Sequence, residues 1–530
     1  MRRPSELDEG VLDAVLDTLH AVLRRRLARD VRLELDDRHE FPADLVAELF
    51  GPEVGLQLVM LPTEVGGLGG DARSLFRVSE EVSRIDLGFG TSLLATCLGI
   101  DPLVVAGTDA QQKRWLGKVA DEGLIVAYGV TEPAAGSNVA ALKTTAEPMA
   151  DACSNLASYR LNGTKQFITN GGVAGLYTIL ARTPGGPSFF VVERDTPGLS
   201  VGPAEYKHGI RASNTTQVFL EDVVVPADQL IGGEEGKGLE QAGEVFGFTR
   251  LMVAACALGV GSEALARAVA YAKEREQFGE PLIAKQGYTH KLLVPHAVRL
   301  EAARALCDEV VARIDAGERG LAVEGSVAKY FTTEAGLAAA DAAMQAHGGY
   351  GYIREFEVEK LLRDVRITTI YEGTSEIQQN IIGMYRWRGT VRSKGGFYRD
   401  QAAALRAAGA DAPHAEARES AALAADALAE LVLTCHRNRL LRQQAVLFEL
   451  ARLATEVEAA LALARKVASL PEDSAGPAAL LGPAARLHAS AAAHAVAVEG
   501  LELLTGSGKL DAEGLEAFRG AARFDAALGT

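Results

Sequence analysis

The sequence predicts a multidomain α+β protein in which a small all-β unit lies between helical regions. The chain has 530 residues, which corresponds to about three or four domains at roughly 100–200 residues each. Apolar residues recur at helical spacing before about residue 123 and after about residue 237. Between them lie short β-branched and aromatic runs, separated by Gly, Pro, Asn and Asp, which is typical of strands.

The predicted domains follow these changes in pattern. They are an N-terminal helical domain (1–123), a middle β domain (124–236), a helical bundle (237–390) and an additional helical domain (391–530). The last domain is rich in Ala and Leu with interleaved Glu and Arg, which favours two or three helical hairpins.

Individual elements can be predicted within these domains. Helices are expected over Val11–Leu27 and Asp44–Leu49. Strands are expected over Ile125–Val130, Tyr159–Leu161, Tyr177–Ala181, Phe189–Val192 and Gln217–Leu220. The stretch Gly232–Gly238 is interpreted as the linker into the bundle.

Composition and charge exclude several classes of function. The net charge is −16 and apolar residues make up 48% of the chain. An acidic surface repels phosphate backbones, so we expect no nucleic-acid partner. The apolar content is sufficient for a packed core, which argues against disorder.

The cysteines and histidines indicate neither disulfides nor a metal centre. The five cysteines form no CxxC pair and are expected to be buried reduced thiols: Cys97, Cys153, Cys256, Cys307 and Cys435. His290, His296 and His347 lack ligand spacing, so no metal is expected. The N-terminus has a basic tip but no apolar core of a signal peptide, and no uninterrupted apolar run reaches the ~20 residues of a membrane span. We therefore expect a cytoplasmic protein.

Two segments suit the binding of a flat ring system or a phosphate. Tyr128–Asn138 is a loop of small residues with two hydroxyls, on Thr131 and Ser137, and closely spaced backbone N–H groups. Phe167–Thr169 joins an aromatic face to a hydroxyl at a strand end. Taken alone, the first segment is better explained as an ordinary turn, and the second as a core aromatic residue before a hairpin.

Two later segments carry further candidates. Gln345–Tyr352 contains three glycines within four positions, which indicates close approach of the backbone to another group. Glu372 follows an apolar, aromatic run and precedes Gly373, so we expect it in a loop that enters a helix. An apolar pocket would raise the pKa of its carboxyl group toward that of a general base at neutral pH. The alternative is an ordinary glutamate favoured by the dipole of a helix start.

Together these segments resemble the acyl-CoA dehydrogenase flavoprotein family over about residues 30–390. The first motif, YGVTEPAAGSN, has Asn138 where Asp is usual. The second motif runs from Gln345 to Asp364, and Tyr371–Thr374 matches the segment that bears the family's catalytic carboxylate. Arg275–Gly279 resembles the FAD pyrophosphate segment and Phe248–Arg250 a substrate segment.

The resemblance implies an acyl-CoA dehydrogenase-like fold with a middle β-barrel domain. The additional C-terminal domain is similar to that of the very-long-chain type, where it covers the surface that other members use to form tetramers. The implied cofactor is FAD, the implied substrate an acyl-CoA, the implied electron acceptor an electron-transfer flavoprotein, and the implied assembly a homodimer. Membrane contact is not expected, because the tail is Ala-rich rather than strongly basic.

The resemblance also implies roles for individual residues. Glu372 would take the α-proton of the thioester while a hydride passes to flavin N5. The residues implied to contact FAD are Tyr128, Val130, Thr131, Gly136, Ser137, Phe167, Ile168, Thr169, Arg275, Gln277, Phe278, Gln286, Gln345, Gly348, Gly349, Thr374 and Glu376. Those implied to contact substrate are Ser137, Thr249, Arg250, Tyr371 and Gly373.

Some departures and alternatives accompany this interpretation. Phe167 stands where Trp is usual, and no Arg stands near Gly90, which opposes a glutaryl-type substrate. A flavin-dependent acyl-CoA oxidase, an enoyl-CoA reductase and a non-catalytic acyl-CoA-binding protein remain alternatives.

Overall fold

The computed structural model describes residues 7–150, 156–407, 409, 413–471 and 475–529. The N-terminal part is helical, and Asp side chains begin several of its helices. Asp86, for example, accepts a hydrogen bond of 2.9 Å from the backbone N–H of Phe89, which stabilises a helix start. The helices are α1 (Glu9–Arg26), α2 (Arg29–Arg38), α3 (Ala43–Phe50), α4 (Ala72–Ile85), α5 (Leu87–Ala106), α6 (Asp109–Gln111) and α7 (Gly117–Glu122). The two helices expected here are confirmed as α1 and α3.

The middle part is one curled seven-stranded sheet. Its strands are β1 (Val126–Gly129), β2 (Thr145–Ala150), β3 (Leu156–Thr169), β4 (Leu176–Thr183), β5 (Gly186–Glu193), β6 (Leu199–Val201) and β7 (Thr215–Pro226). They lie in the order β1-β4-β2-β3-β7-β6, and β5 pairs with β4. Each strand expected from the sequence is present. The loop after β1 lies beside the end of β3, because the N–H of Gln166 donates to the carbonyl of Thr131 at 2.9 Å.

A helical bundle follows the sheet. Its elements are α8 (Gly238–Glu274), the short pair β8 (Glu276–Gln277) and β9 (Glu280–Pro281), α9 (Gln286–Leu292), α10 (Val294–Asp315), α11 (Ala322–Ala346), α12 (Val358–Val365) and α13 (Ser375–Arg392). Helices α8 and α11 approach closely where Gly261 faces Gly336, since a Cβ on Gly261 would lie 2.8 Å from the Cα of Gly336. Both helices contribute side chains to the site described below, Thr249 from α8 and Lys329 from α11.

The additional C-terminal helices are α14 (Gly396–Arg406), α15 (Ala415–Arg437), α16 (Gln444–Ala468), α17 (Leu481–Gly506), α18 (Ala512–Ala521) and α19 (Phe524–Leu528). Helix α16 is bound to the bundle through charged pairs. Arg386 of α13 forms two hydrogen bonds with Glu458 at 2.7 and 2.8 Å, and Arg465 pairs with Glu309 of α10 at 2.8 Å. The extension is therefore packed on the bundle rather than tethered to it.

Helices α5 and α8 are long and apolar enough to cross a membrane, but most of each helix is buried inside the protein. Their apolar surfaces belong to the main core. Cys97, Cys256, Cys307 and Cys435 are buried, as predicted, whereas Cys153 and the basic N-terminal tip lie outside the described residues. Within the described ranges, no group of three or more His, Cys, Asp or Glu side chains could hold a metal ion.

Candidate active site

Glu372 lies in a short turn between a 3₁₀-helix (Arg366–Thr369) and α13, as expected from the sequence. Its φ is 54° and that of Gly373 is 91°, so two successive residues are left-handed. This conformation is costly for a glutamate and persists only where the surroundings hold it. The side-chain amide of Gln378 donates to the carbonyls of Glu372 at 3.1 Å and Gly373 at 3.0 Å. Lys329 Nζ donates to the Gly373 carbonyl at 2.8 Å.

The Glu372 carboxyl group faces α8. Burial raises its pKa above the ordinary value, because a charged carboxylate loses hydration there. Three groups oppose this rise: Thr249 Oγ1, which donates to Glu372 Oε2 at 3.2 Å, and the positive charges of Arg250 and Lys329. A carboxyl group with a raised pKa that still ionises is suited to proton abstraction near neutral pH.

Arg250 supplies a partly buried cation beside this carboxyl group. Its Nη1 donates to the Ala322 carbonyl and to Ser326 Oγ, both at 3.1 Å. Burial lowers its pKa, and its Nε has no hydrogen-bond partner among the described residues. The guanidinium therefore retains capacity to bind a polar ligand group at this position.

Two tyrosine hydroxyl groups lie within the electrostatic influence of Glu372. Burial, together with the negative charge of Glu372, raises the pKa of Tyr128 and of Tyr371. The phenol of Tyr128 is buried and has no hydrogen-bond partner within the described ranges. Of the residues proposed for substrate, Thr249, Arg250, Tyr371 and Gly373 thus come together around Glu372, whereas Ser137 lies on an exposed turn.

The two segments predicted to bind a flat ring form a shelf at the edge of the sheet. The Phe167 side chain is 64% exposed, and its φ of 57° marks a bend near the end of β3. Val130 and Ile168 are buried behind this surface, while Gly136 is exposed and Thr131 and Thr169 are partly exposed. An exposed aromatic ring beside hydroxyl groups fits one face of a flat heteroaromatic ring.

The shelf is anchored from beneath by a buried ion pair. Lys165 Nζ lies 2.7 Å from a Glu132 carboxylate oxygen, and the two side chains are 0% and 4% exposed. The same carboxylate accepts hydrogen bonds from the backbone N–H groups of Lys143 at 2.6 Å and Thr144 at 3.0 Å. Because every one of these bonds is charge-assisted, the loop after β1 is held in one position.

A separate groove of about 610 Å³ contains five of the residues expected to contact FAD: Arg275, Gln277, Gln345, Gly348 and Gly349. Arg275 makes no ion pair with any described residue and lies over the Tyr350 ring at 5.6 Å. A free guanidinium, two amides and exposed glycine backbone are a donor set suited to a diphosphate.

The remaining residues predicted to contact FAD lie beside the shelf and the groove rather than within them. Phe278 is 95% exposed next to the groove, and Gln286 is exposed at the start of α9. Thr374 is the N-cap of α13 and accepts a hydrogen bond from the N–H of Ile377 at 3.4 Å, and Glu376 is exposed on its first turn. Neither Glu372 nor the shelf lines the groove.

Sequence reasoning missed three residues that support the site: Lys329, Gln378 and Lys165. All three are fully buried. A lysine or glutamine inside a helix or strand pattern is usually interpreted as solvent-exposed. The available signal was Lys329 standing among small and apolar residues in α11, whereas Gln378 has polar neighbours and gives no such signal.

Comparisons with known proteins agree with this architecture. Models of the acyl-CoA dehydrogenase N-terminal domain match residues 12–123, of the middle domain residues 127–223, and of the C-terminal domain residues 236–385 and again 415–530. An acyl-CoA dehydrogenase of Bacillus subtilis is 39% identical over 389 residues, which cover 70% of this chain and 99% of that protein. The chain belongs to the acyl-CoA dehydrogenase family.

Two solved structures extend the comparison. The structure of an acyl-CoA dehydrogenase from Bacillus anthracis complexed with FAD is 26% identical, with a TM-score of 0.85, and covers 97% of this chain and 91% of that chain. Butyryl-CoA dehydrogenase from Megasphaera elsdenii is 34% identical, with a TM-score of 0.67, and covers 72% and 98%. The predicted fold, including the additional helices, is confirmed; the protein is an oxidoreductase of the acyl-CoA dehydrogenase type, and its cofactor is FAD.

Proposed function

We propose that this enzyme converts an acyl-CoA thioester to the trans-2-enoyl-CoA, with Glu372 as the base that removes the α-proton. The observation that carries the proposal is the Glu372 turn, in which a half-buried glutamate of raised carboxyl pKa is bonded to Thr249 and lies in the positive field of Arg250. A thioester carbonyl makes its α-hydrogen acidic, and a fixed carboxylate within reach can take that proton.

The same turn offers a donor for the thioester carbonyl oxygen. The backbone N–H of Glu372 has no hydrogen-bond partner among the described residues. An unpaired N–H beside the base can stabilise the negative charge that develops on the carbonyl oxygen as the α-proton leaves. Bound FAD, held by the shelf and by the groove residues, supplies the chemistry that accepts the β-hydrogen as a hydride.

A homodimer is part of this proposal. The Arg275 groove is not lined by Glu372 or by the shelf, and exposed aromatic side chains surround it, including Phe278 at 95% and Tyr352 at 80% exposure. Exposed apolar side chains around a ligand groove favour coverage by a second protein surface. In the proposal, a second copy of the chain covers this groove and its FAD contributes the pyrophosphate that Arg275 binds.

Acyl-CoA is the proposed substrate and an electron-transfer flavoprotein the proposed acceptor, with a role in fatty-acid β-oxidation in the cytoplasm. The acyl-CoA oxidase and enoyl-CoA reductase alternatives differ from this proposal in how the reduced enzyme is reoxidised. Rapid reoxidation by dissolved oxygen would favour the oxidase, and reoxidation by enoyl-CoA faster than by an electron-transfer flavoprotein would favour the reductase.

The test is an anaerobic titration of the FAD-loaded enzyme with butyryl-, octanoyl- and palmitoyl-CoA, followed by loss of flavin absorbance. We expect at least one thioester to bleach the flavin. Glu372→Gln should retain FAD and bind the same thioester but bleach about 10²–10⁴ times more slowly, since that is the usual contribution of a general base. Glu240→Gln, which alters an exposed carboxylate at the start of α8, is the control. Bleaching of Glu372→Gln at the wild-type rate would exclude the proposed role.

A further inference from the structure

We propose that Lys329 is a positioning residue for the base: its ammonium group holds the Glu372–Gly373 turn in its left-handed conformation and places a fixed positive charge behind the Glu372 carboxylate. This inference rests on the proposed role of Glu372. Lys329 lies on α11, 43 positions before the base in the sequence.

The first observation is the burial of Lys329 without an ion-pair partner. Its side chain is 0% exposed, and no carboxylate of the described residues lies within 4.0 Å of its Nζ. Buried lysines are nearly always paired, because an isolated ammonium group loses its hydration without compensation. Burial accordingly lowers the pKa of Lys329 to about 8. A group kept at this cost in stability is expected to serve the site it faces.

The second observation is the target of its hydrogen bond. Lys329 Nζ donates to the carbonyl of Gly373 at 2.8 Å, and the Gln378 amide donates to the same oxygen at 3.0 Å. Two side chains from different helices therefore converge on one carbonyl of the turn. A Cβ on Gly373 would lie 2.5 Å from Gln378 Nε2, so the turn fits tightly between its two donors.

The third observation is the distribution of charge around the ammonium group. Negative groups face Lys329 from its own helix (Glu334), from the turn (Glu372) and from the first turn of α13 (Glu376), whereas Arg250 of α8 opposes it. The negative charge of Asp101 on α5 raises the pKa of Glu372, and the hydrogen bond from Thr249 lowers it. Lys329 is thus one of two cations that lower the pKa of the base.

Variants of Lys329 and Gln378 can separate the two parts of this role, the hydrogen bond to the turn and the positive charge. Both donate to the Gly373 carbonyl, but only Lys329 carries a charge. Loss of either donor should loosen the turn and slow proton abstraction, since a small displacement of a catalytic group reduces the rate strongly. Only loss of Lys329 should also raise the pKa of Glu372, because an opposite charge nearby favours the ionised carboxylate.

The experiment uses the full-length, FAD-loaded protein and measures the rate of anaerobic flavin bleaching across pH, with whichever acyl-CoA bleaches the flavin fastest in the titration described above. Lys329→Met should keep FAD and leave the dissociation constant for acyl-CoA within about threefold, but lower the rate at neutral pH by about tenfold or more and move its acidic limb about one unit alkaline. Gln378→Met should lower the rate without moving the limb. Lys329→Gln, which restores a neutral donor, should regain part of the rate but keep the alkaline limb.

The outcomes separate this inference from the proposed function. Wild-type rate and pH dependence in Lys329→Met would overturn the positioning role while leaving Glu372 as the base. A lowered melting temperature with a wild-type pH profile would assign Lys329 a purely structural role and would also overturn it. If Lys329→Met does not fold, the pH profile of Lys329→Gln decides alone. Undiminished bleaching by Glu372→Gln would instead refute the proposed function.

Discussion

Replacing Thr249 with Val should raise the pKa of the Glu372 carboxyl group, the proposed base, by about one unit. The Thr249 side chain is 0% exposed, and valine has nearly the same shape, so the change removes a hydroxyl without opening a cavity. The lost hydrogen bond joins Thr249 Oγ1 to Glu372 Oε2 at 3.2 Å. It stabilises the ionised form of Glu372, and its removal must therefore raise that pKa.

The magnitude follows from the length of this bond. A hydrogen bond to a charged group contributes about 1.5–3 kcal/mol, and 3.2 Å is long for a hydroxyl donor. We therefore take the lower end, about 1.5 kcal/mol, which corresponds to about one pKa unit at 1.36 kcal/mol per unit. Only the ionised carboxylate can accept a proton. Below its pKa the reactive fraction should fall about tenfold, and well above it the rate should match wild type.

The assay is the rate of anaerobic flavin bleaching at saturating acyl-CoA across the pH range in which the enzyme is stable. Thr434→Val is a matched control, because Thr434 donates to Glu430 at the same distance of 3.2 Å but lies in the additional domain. An acidic limb that coincides with that of wild type would refute the reasoning, as would a lowered plateau with an unchanged limb.

Three further predictions concern stability and cofactor binding. Arg386→Met removes the cation and two of the three hydrogen bonds of the partly buried Glu458, so that only the bond from Tyr398 remains. It should destabilise the fold by about 3–5 kcal/mol in denaturant unfolding, and a loss below about 1 kcal/mol would contradict this. Gly383→Ala places a Cβ 2.7 Å from the Leu447 carbonyl and should cost about 1–3 kcal/mol in the same measurement, and an unchanged midpoint would argue against tight packing there. Arg275→Ala should weaken FAD binding to the apoprotein about tenfold or more, as for loss of a charge-assisted contact, and unchanged affinity in a fluorescence titration would exclude a pyrophosphate role.

Segments whose structure depends on residues adjacent in the sequence could be predicted well. The place of Glu372 in a turn that enters a helix follows from the aromatic run before it and the glycine after it. The strands at the shelf follow from short β-branched runs, because strand patterns depend on neighbouring residues. The additional helices follow from a change in composition near residue 390.

The supports of the site could not be predicted in the same way. Lys329 reaches the Gly373 carbonyl only because α11 packs behind the turn, and contacts between distant segments have no local sequence signal. The same holds for Arg386 and Glu458, whose pairing depends on how α16 docks on α13. Helical periodicity indicates that such helices exist but not which of their faces meet.

The continuity of α13 has a consequence for the effect of mutations far from the site. The helix has 18 residues and begins next to the turn that carries Glu372. Arg386, which contacts α16, lies about 17 Å further along it. A substitution in α16 (444–468) that displaces α13 would displace the Glu372 turn with it, although no residue of α16 touches thioester or flavin in the proposed scheme. Such substitutions in the additional domain would therefore lower turnover. A genetic screen would assign them the same phenotype as substitutions of Glu372.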